Sequence, residues 1–566
     1  MTTEQPLEGG LDEPAELEPA QGALALADPS DVHTRADWEA AAAAVLRKNR
    51  RLGPDDADSE VWARLTRTTL DGLRVPPLGT PDLVTDLVTS GRPTRVGGWD
   101  VVTRPVDNEQ ARADLDTGAT ALWVDPTADL RTLLDGVLLD LAPVVLDNAT
   151  ADQARALLEV LGSTPAAAGT NLGADAAGDH LVEVAGLARD AGVLAAVVDG
   201  AAVHDRGASD VQELGYAMAV AAAALRTLTR AGSTVDEAAG LLELRLAATD
   251  EQFVTIAKLR AARRLWARML ELSGVEDPAP VRIHAVTSRP MLSAYDPWVN
   301  MLRTTVAAFS AGIGGADAIT VVPFDSPLGE PDAFGRRIAR NTSHLLISES
   351  HLGRVADPAG GAYAVEKLTD DLAVAAWEEL GRIESEGMDA FEVRVAEVVA
   401  ARDDQVAHRT RPITGLTEFP NLTETLPSRA GAGDDVRRYG AAFEALRDQP
   451  ATGSVFLATM GTVAAHTARA MFASNLFAAG GIAVDPAGPT DSVDAVVAAY
   501  AGQPVVCLCG TDAAYAEWGA ALVAALRDAG ARHVVVAGTV DVGADDRCHA
   551  GTDALAFLRR TREVLS

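Results

Sequence analysis

Three histidines and two basic stretches are the residues of this chain whose types and spacing could do chemistry. His466 sits in Met460-Gly-Thr-Val-Ala464-Ala-His466-Thr-Ala-Arg469, behind an apolar run, where an imidazole could ligate a metal or titrate near neutrality. His204 follows Val198-Asp-Gly200-Ala201-Ala202-Val, and strand alternation would put it on the face of Ala202. His284 closes the run Val281-Arg-Ile-His284 and reads as a structural strand-end residue. Lys258, Arg260, Arg263 and Arg264 make a basic helix in an acidic protein, suited to salt bridges within the fold rather than to anion binding. Arg337 and Arg340 precede Asp357-Pro-Ala-Gly-Gly-Ala-Tyr363, a turn whose glycines let the backbone approach a ligand or a helix. Cys507 and Cys509 alternate in an apolar run and read as core, not as a metal site. No Ser-His-Asp arrangement, P-loop or metal-spaced cluster is evident.

These groups need a scaffold, and 566 residues are too many for one core. The composition is 48% hydrophobic, and 81 acidic against 48 basic residues give a net charge of -33. That balance opposes binding to nucleic acid or to an anionic membrane. Three cysteines are too few for a disulfide framework. The N-terminus shows no signal peptide and no stretch is apolar enough to span a membrane, so a soluble cytoplasmic protein is expected.

In order along the chain, residues 1–30 are rich in Glu, Pro, Ala and Gly and should be disordered. Residues 31–95 carry Trp38, Leu46, Trp62 and Leu65 among charges and predict short amphipathic helices, an arm that packs on a partner or on its own barrel. Residues 96–400 alternate apolar runs with helical patterns. Strands are expected at Ala121–Val124, Val144–Leu146, Val193–Val198, Leu242–Leu246, Val281–His284 and Ala318–Val322. Long helices are expected at Ala208–Leu228 and Gln252–Leu272, with Thr249 and Gln252 as a capping box. The alternation, with no GxGxxG, predicts a (β/α)8 TIM barrel. Residues 401–450 read as a linker, with Pro412, Pro420 and Pro427. Residues 451–566 repeat strand and helix four times, which predicts a flavodoxin-like doubly wound domain.

The chain resembles the methylmalonyl-CoA mutase family. The resemblance rests on Ala257-Lys-Leu-Arg-Ala-Ala-Arg263 with Leu265-Trp266; on His284, Thr287-Ser288, Asp296-Pro297, Asn300 and Arg303-Thr304; and on Ile338-Ala-Arg-Asn-Thr342 with Arg354-Val-Ala-Asp-Pro358 and Tyr363 to Glu366. The close match covers Phe253 to Glu366. The resemblance implies the same barrel, followed by a cobalamin-binding-type domain.

It also implies chemistry whose residues this chain lacks. Catalytic members place the cobalt-ligating histidine in Asp-x-His-x-x-Gly, where the aspartate orients the ring and the glycine admits the nucleotide tail. Here only His466 survives, with Ala464 and Arg469 at the other two positions, and Cys509-Gly510 replaces a Ser-Ser strand end. The family's radical-steering tyrosine and carbonyl-binding histidine correspond to Ala201 and Ala202. No arginine lies between Leu172 and Arg189 to pair with a substrate carboxylate. The polar strand end that lines the coenzyme A channel becomes Ile319-Thr-Val-Val322, which predicts a barrel filled by branched apolar residues.

Together these losses imply no catalytic residue, no metal ligand and no cofactor-binding residue, with His466 as the degenerate position. The expected role is the small subunit of a heterodimeric mutase whose homologous large subunit binds adenosylcobalamin. Two other readings stay open: an acyl-CoA mutase with its own altered cobalamin site, and a non-enzymatic scaffold or regulator.

Overall fold

The computed structural model describes residue 28 and residues 32–87, 91–431 and 436–566. Apart from residue 28, the expected disordered tail lies outside them. Met1–Arg67 and Thr68–Ser566 are two separate compact units. In the first, the helix Arg35–Lys48 is closed at its start by a Thr34–Asp37 capping box. Its Leu46 and Ala43 pack with Leu52 and Val61, and the rings of Trp38 and Trp62 meet at 4.7 Å.

The second unit begins with a closed parallel barrel. Its strands are β1 (Asp100–Thr103), β2 (Ala121–Val124), β3 (Val144–Leu146), β4 (Asn171–Asp175), β5 (Leu194–Asp199), β6 (Leu242–Ala248), β7 (Arg282–Thr287) and β8 (Ala318–Thr320). They pair in chain order, and β8 closes on β1. Successive parallel crossovers give a single ring, because each apolar strand is followed by a helix that covers its outer face. Outward residues such as Leu122, Leu146, Val198, Leu244 and Ile319 join one continuous core with those helices.

Three helices hold the barrel wall from outside: α1 (Asp210–Arg230), α2 (Gln252–Leu272) and α3 (Tyr363–Glu386). Helix α1 starts in a Ser209–Gln212 capping box. The capping box expected for α2 does not form. Its N-cap is Glu251, without a side-chain bond, and Thr249 instead bonds the Thr255 hydroxyl at 3.1 Å. Gly79 and Gly91 lie against these helices, at backbone distances only glycine allows. A Cβ on Gly91, at φ +65°, would stand 2.6 Å from the Arg263 carbonyl oxygen.

The last domain is a five-stranded parallel sheet: β9 (Val455–Thr459), β10 (Val484–Pro486), β11 (Val505–Cys509), β12 (His533–Ala537) and β13 (Asp546–Cys548). Its order, β10-β9-β11-β12-β13, is the 2-1-3-4-5 pattern of flavodoxin-like sheets. The sequence pattern indicates four strands; the fifth is the short polar β13. Helix α4 (Val463–Ala479) covers one face with Ala473, Leu476 and Phe477, while Leu522, Val523 and Leu526 cover the other. All three cysteines are buried on the α4 face, as the alternation of Cys507 and Cys509 predicts. Glu444 joins this domain to the barrel, accepting from the Ala294 amide at 2.8 Å and pairing with Arg438. No helix among the described residues is long and apolar enough to cross a membrane.

Candidate functional site

Ligands of parallel barrels bind at the C-terminal ends of the strands. Here that end holds a cavity of about 670 Å³, lined by Thr103, Trp123, Asp147, Asp199, Arg245 and Arg289 among others. Ala201 and Ala202 line it too, offering it only methyl groups. No residue between Leu172 and Arg189 reaches it. His204 does not line it, contrary to the alternation argument. Strand β5 stops at Asp199, whose carboxylate caps the helix Gly200–Asp205 by accepting from the Ala202 amide at 3.0 Å. Helical geometry then turns His204 away from the cavity.

His204 is buried instead in a charged cluster behind the barrel wall. Its Nε2 meets the Ser288 hydroxyl at 2.7 Å and its Nδ1 lies 3.7 Å from Glu213. Lys258 of α2 bridges Glu213 at 2.7 Å and Asp210 at 2.8 Å. Burial, with the Lys258 charge beside it, pushes the His204 pKa well below the ordinary histidine value. Burial also raises Glu213 to about 7, against the pull of Lys258. Lys258 stays charged because its two carboxylates outweigh its burial. The cluster fastens α1 and α2 to the strands, and nothing in it faces the cavity.

The barrel axis is filled, but not by the residues expected. Ile319 packs in the core with the helices, while Thr320, Val321 and Val322 line the cavity at the mouth. The axis is occupied by charge and by one aromatic ring. Arg245 is 2% exposed, lies 4.0 Å over the Trp123 ring, and pairs with Asp147 and Asp199 at 3.1 Å each. Arg104 covers the same ring from 4.8 Å and pairs with Asp147 at 3.0 Å. Below them His284 bonds Thr320 at 2.8 Å and meets Trp123 edge to face at 5.6 Å. Lower still, Arg282 bridges Glu243 at 3.1 Å and Asp100 at 2.5 Å. His284 is thus a core residue, its pKa held well down by burial and by Arg245 and Arg282. Sequence reasoning misses Trp123 and Arg245. The available signal is the pair of charges, Glu243 and Arg245, alternating with leucines inside the strand Leu242–Ala248.

The basic face of α2 is fully matched. Lys258 takes Asp210 and Glu213, Arg260 takes Asp357 and Glu366, Arg263 takes Asp317, and Arg264 takes Asp370. Asp357 and Glu366, on either side of the glycine turn, therefore face helix α2, while a Cβ on Gly361 would meet nothing within 4 Å. Arg340 pairs with Asp114 and ties two outer helices together, whereas Arg337 lies over the Phe334 ring at 5.5 Å.

In the C-terminal domain His466 lies in the first turn of α4, where it is 7% exposed rather than partly open to solvent. Its Nδ1 is 3.3 Å from the Gly461 carbonyl oxygen. Ala464, two residues before it, supplies no carboxylate. Arg469, one turn on, pairs with Asp512 at 2.5 Å and lies 4.9 Å over the Tyr515 ring. A cobalt-ligating histidine needs an oriented ring on an accessible loop with open space behind it. The residues here do not fit such a group.

The family model for methylmalonyl-CoA mutase matches residues 192–466. A methylmalonyl-CoA mutase small subunit from Streptomyces virginiae is 43% identical over 608 aligned residues, spanning 95% of this chain and 98% of the relative. The small subunit from Propionibacterium freudenreichii subsp. shermanii is 33% identical over 619, spanning 96% of each. The mitochondrial methylmalonyl-CoA mutase of Bos taurus is 34% identical over 232 residues, 39% of this chain.

Proposed function

The chain belongs to the methylmalonyl-CoA mutase family, and we propose that within it the chain is the small, non-catalytic subunit of a heterodimer. Its partner is a homologous large subunit that holds adenosylcobalamin and interconverts (R)-methylmalonyl-CoA and succinyl-CoA. The cofactor supplies the radical chemistry there. This chain supplies a rigid homologous surface, with residues 96–400 as the barrel, 401–450 as the connection and 451–566 as a domain kept for its shape.

The observation that carries the reading is Arg245 seated on Trp123. An acyl-CoA must thread its pantetheine arm along the barrel axis to reach the mouth. That axis is taken by a tryptophan, two arginines, a histidine and their carboxylates. Opening it would expose paired charges and cost several kcal/mol for each broken pair. Ala201 and Ala202 give the cavity no side-chain donor, and its arginines Arg245 and Arg289 are already paired with Asp147, Asp199 and Asp205, so a thioester carbonyl beside the alanines would lack a dedicated polarising partner.

The experiment is co-expression with a homologous mutase subunit that carries an intact Asp-x-His-x-x-Gly loop. Co-purification at one to one, with mutase activity that needs both chains and cobalamin bound only to the other, is the expected result. Turnover by this chain alone, given adenosylcobalamin and methylmalonyl-CoA, would sink it.

A further inference from the structure

In a sheet of order 2-1-3-4-5 the ligand crevice lies where the helices after the first and third strands leave on opposite faces. Here that point is between the ends of β9 and β11. Helix α4 leaves to one face, and the segment from Asp512 leaves to the other. The crevice is filled from within. Tyr515 is 1% exposed, and its hydroxyl sits 2.9 Å from each of three backbone groups: it accepts from the Gly510 amide and faces the carbonyl oxygens of Leu508 and Ala537. Met460, at the end of β9, closes the floor and donates its amide to Cys509 at 2.8 Å. The two strand-end glycines leave no spare room. A Cβ on Gly510 would stand 2.9 Å from Met460 and 3.4 Å from the Tyr515 ring, and one on Gly538 would stand 3.0 Å from the Arg469 guanidinium. Arg469 roofs the ring, anchored by Asp512. The loop after β9 is pinned as well, because Gly461 exchanges backbone hydrogen bonds with Thr490.

We infer that Tyr515, roofed by Arg469, is a built-in occupant of this crevice, so that the domain is complete without a nucleotide-bearing ligand and would refuse one even with its loop motif restored. The inference rests on the reading of this chain as the cofactor-free subunit, and goes beyond it by naming what blocks the site. A phenol ring satisfies the strand-end backbone groups that a ligand would otherwise meet, and burial keeps its hydroxyl protonated.

The test titrates hydroxocobalamin, followed by visible absorbance, into the full chain, the Ala464→Asp/Arg469→Gly variant, and that variant with Tyr515→Ala added. Only the third should bind, at least tenfold more tightly than the second. Equal binding by the second and third variants would remove the role of Tyr515 and leave the subunit reading intact. Stoichiometric binding by the unaltered chain would remove both. If neither variant binds, the thermal midpoint of Tyr515→Ala in 4-methylphenol decides. Recovery by several degrees, with the unaltered chain unmoved, shows that the space is a phenol-sized slot. No recovery overturns the inference.

Discussion

Arg245 lies flat on Trp123 and is held there by Asp147 and Asp199, one carboxylate from each of two strands. The relationship crosses the barrel: the ring comes from β2, the cation from β6, and the carboxylates from the ends of β3 and β5. Arg245→Ala would leave both aspartates without the cation between them. We expect a loss of about 3–5 kcal/mol in urea denaturation. Arg245→Lys should recover only part of it, because an ammonium cannot cover the indole face as a planar guanidinium does.

Lys258 is fully buried between Asp210 and Glu213. Lys258→Ala strands two carboxylates and should cost about 3–5 kcal/mol. Adding Glu213→Gln should return part of that, since one stranded charge is then gone. A double-mutant cycle on the denaturation midpoints checks it.

His284 supplies a pH signature. Its native pKa lies well below the ordinary value of 6.5, through burial and the nearby Arg245 and Arg282. The unfolded chain therefore takes up a proton below pH 6.5 that the native chain refuses. The stability from this site is fully present above about pH 6.5 and falls as the pH drops, by about 1.4 kcal/mol per pH unit. Glu213 runs the other way: its pKa, raised by burial to about 7, favours the native state as pH falls from 7 toward the ordinary value of 4.5. Comparing His284→Gln with the parent isolates the first effect. The slope of stability between about pH 6 and pH 5 should shrink by about 1.4 kcal/mol per unit.

Two glycines with similar backbone angles should respond differently to alanine. Gly72, at φ +80°, has open space around its missing side chain, and Gly72→Ala should cost about 1 kcal/mol from backbone strain alone. Gly91, at φ +65°, would drive its Cβ into the Arg263 carbonyl and the Arg264 backbone. Gly91→Ala should cost at least about 2 kcal/mol more, read as a larger fall in the thermal midpoint.

Six of the eight barrel strands are legible because parallel barrel strands read as apolar runs; β1 and β4 are not, because Asp100-Val-Val-Thr103 and Asn171-Leu-Gly-Ala-Asp175 set short apolar stretches between polar ends. The failures have local causes. Strand alternation misplaces His204 because Asp199-Gly200 ends the strand, and the capping aspartate is the clue. Thr249 has a capping-box partner at the right spacing, but the Thr255 hydroxyl competes for it. The filling of the barrel is illegible because its members come from strands all around the ring. A linear pattern shows Arg245 as an oddity in β6 and cannot show the indole waiting for it on β2. The four basic residues of α2 are legible as salt-bridge partners because an acidic chain offers carboxylates on every neighbouring element.

The three cysteines share one domain, and none reaches the surface. The native chain thus hides every thiol it owns from an alkylating reagent, and the barrel owns none. Labelling over time becomes a clock for the opening of the C-terminal domain alone, silent about any breathing of the barrel. The same clock would show whether a bound partner slows that opening, with no probe introduced into the protein.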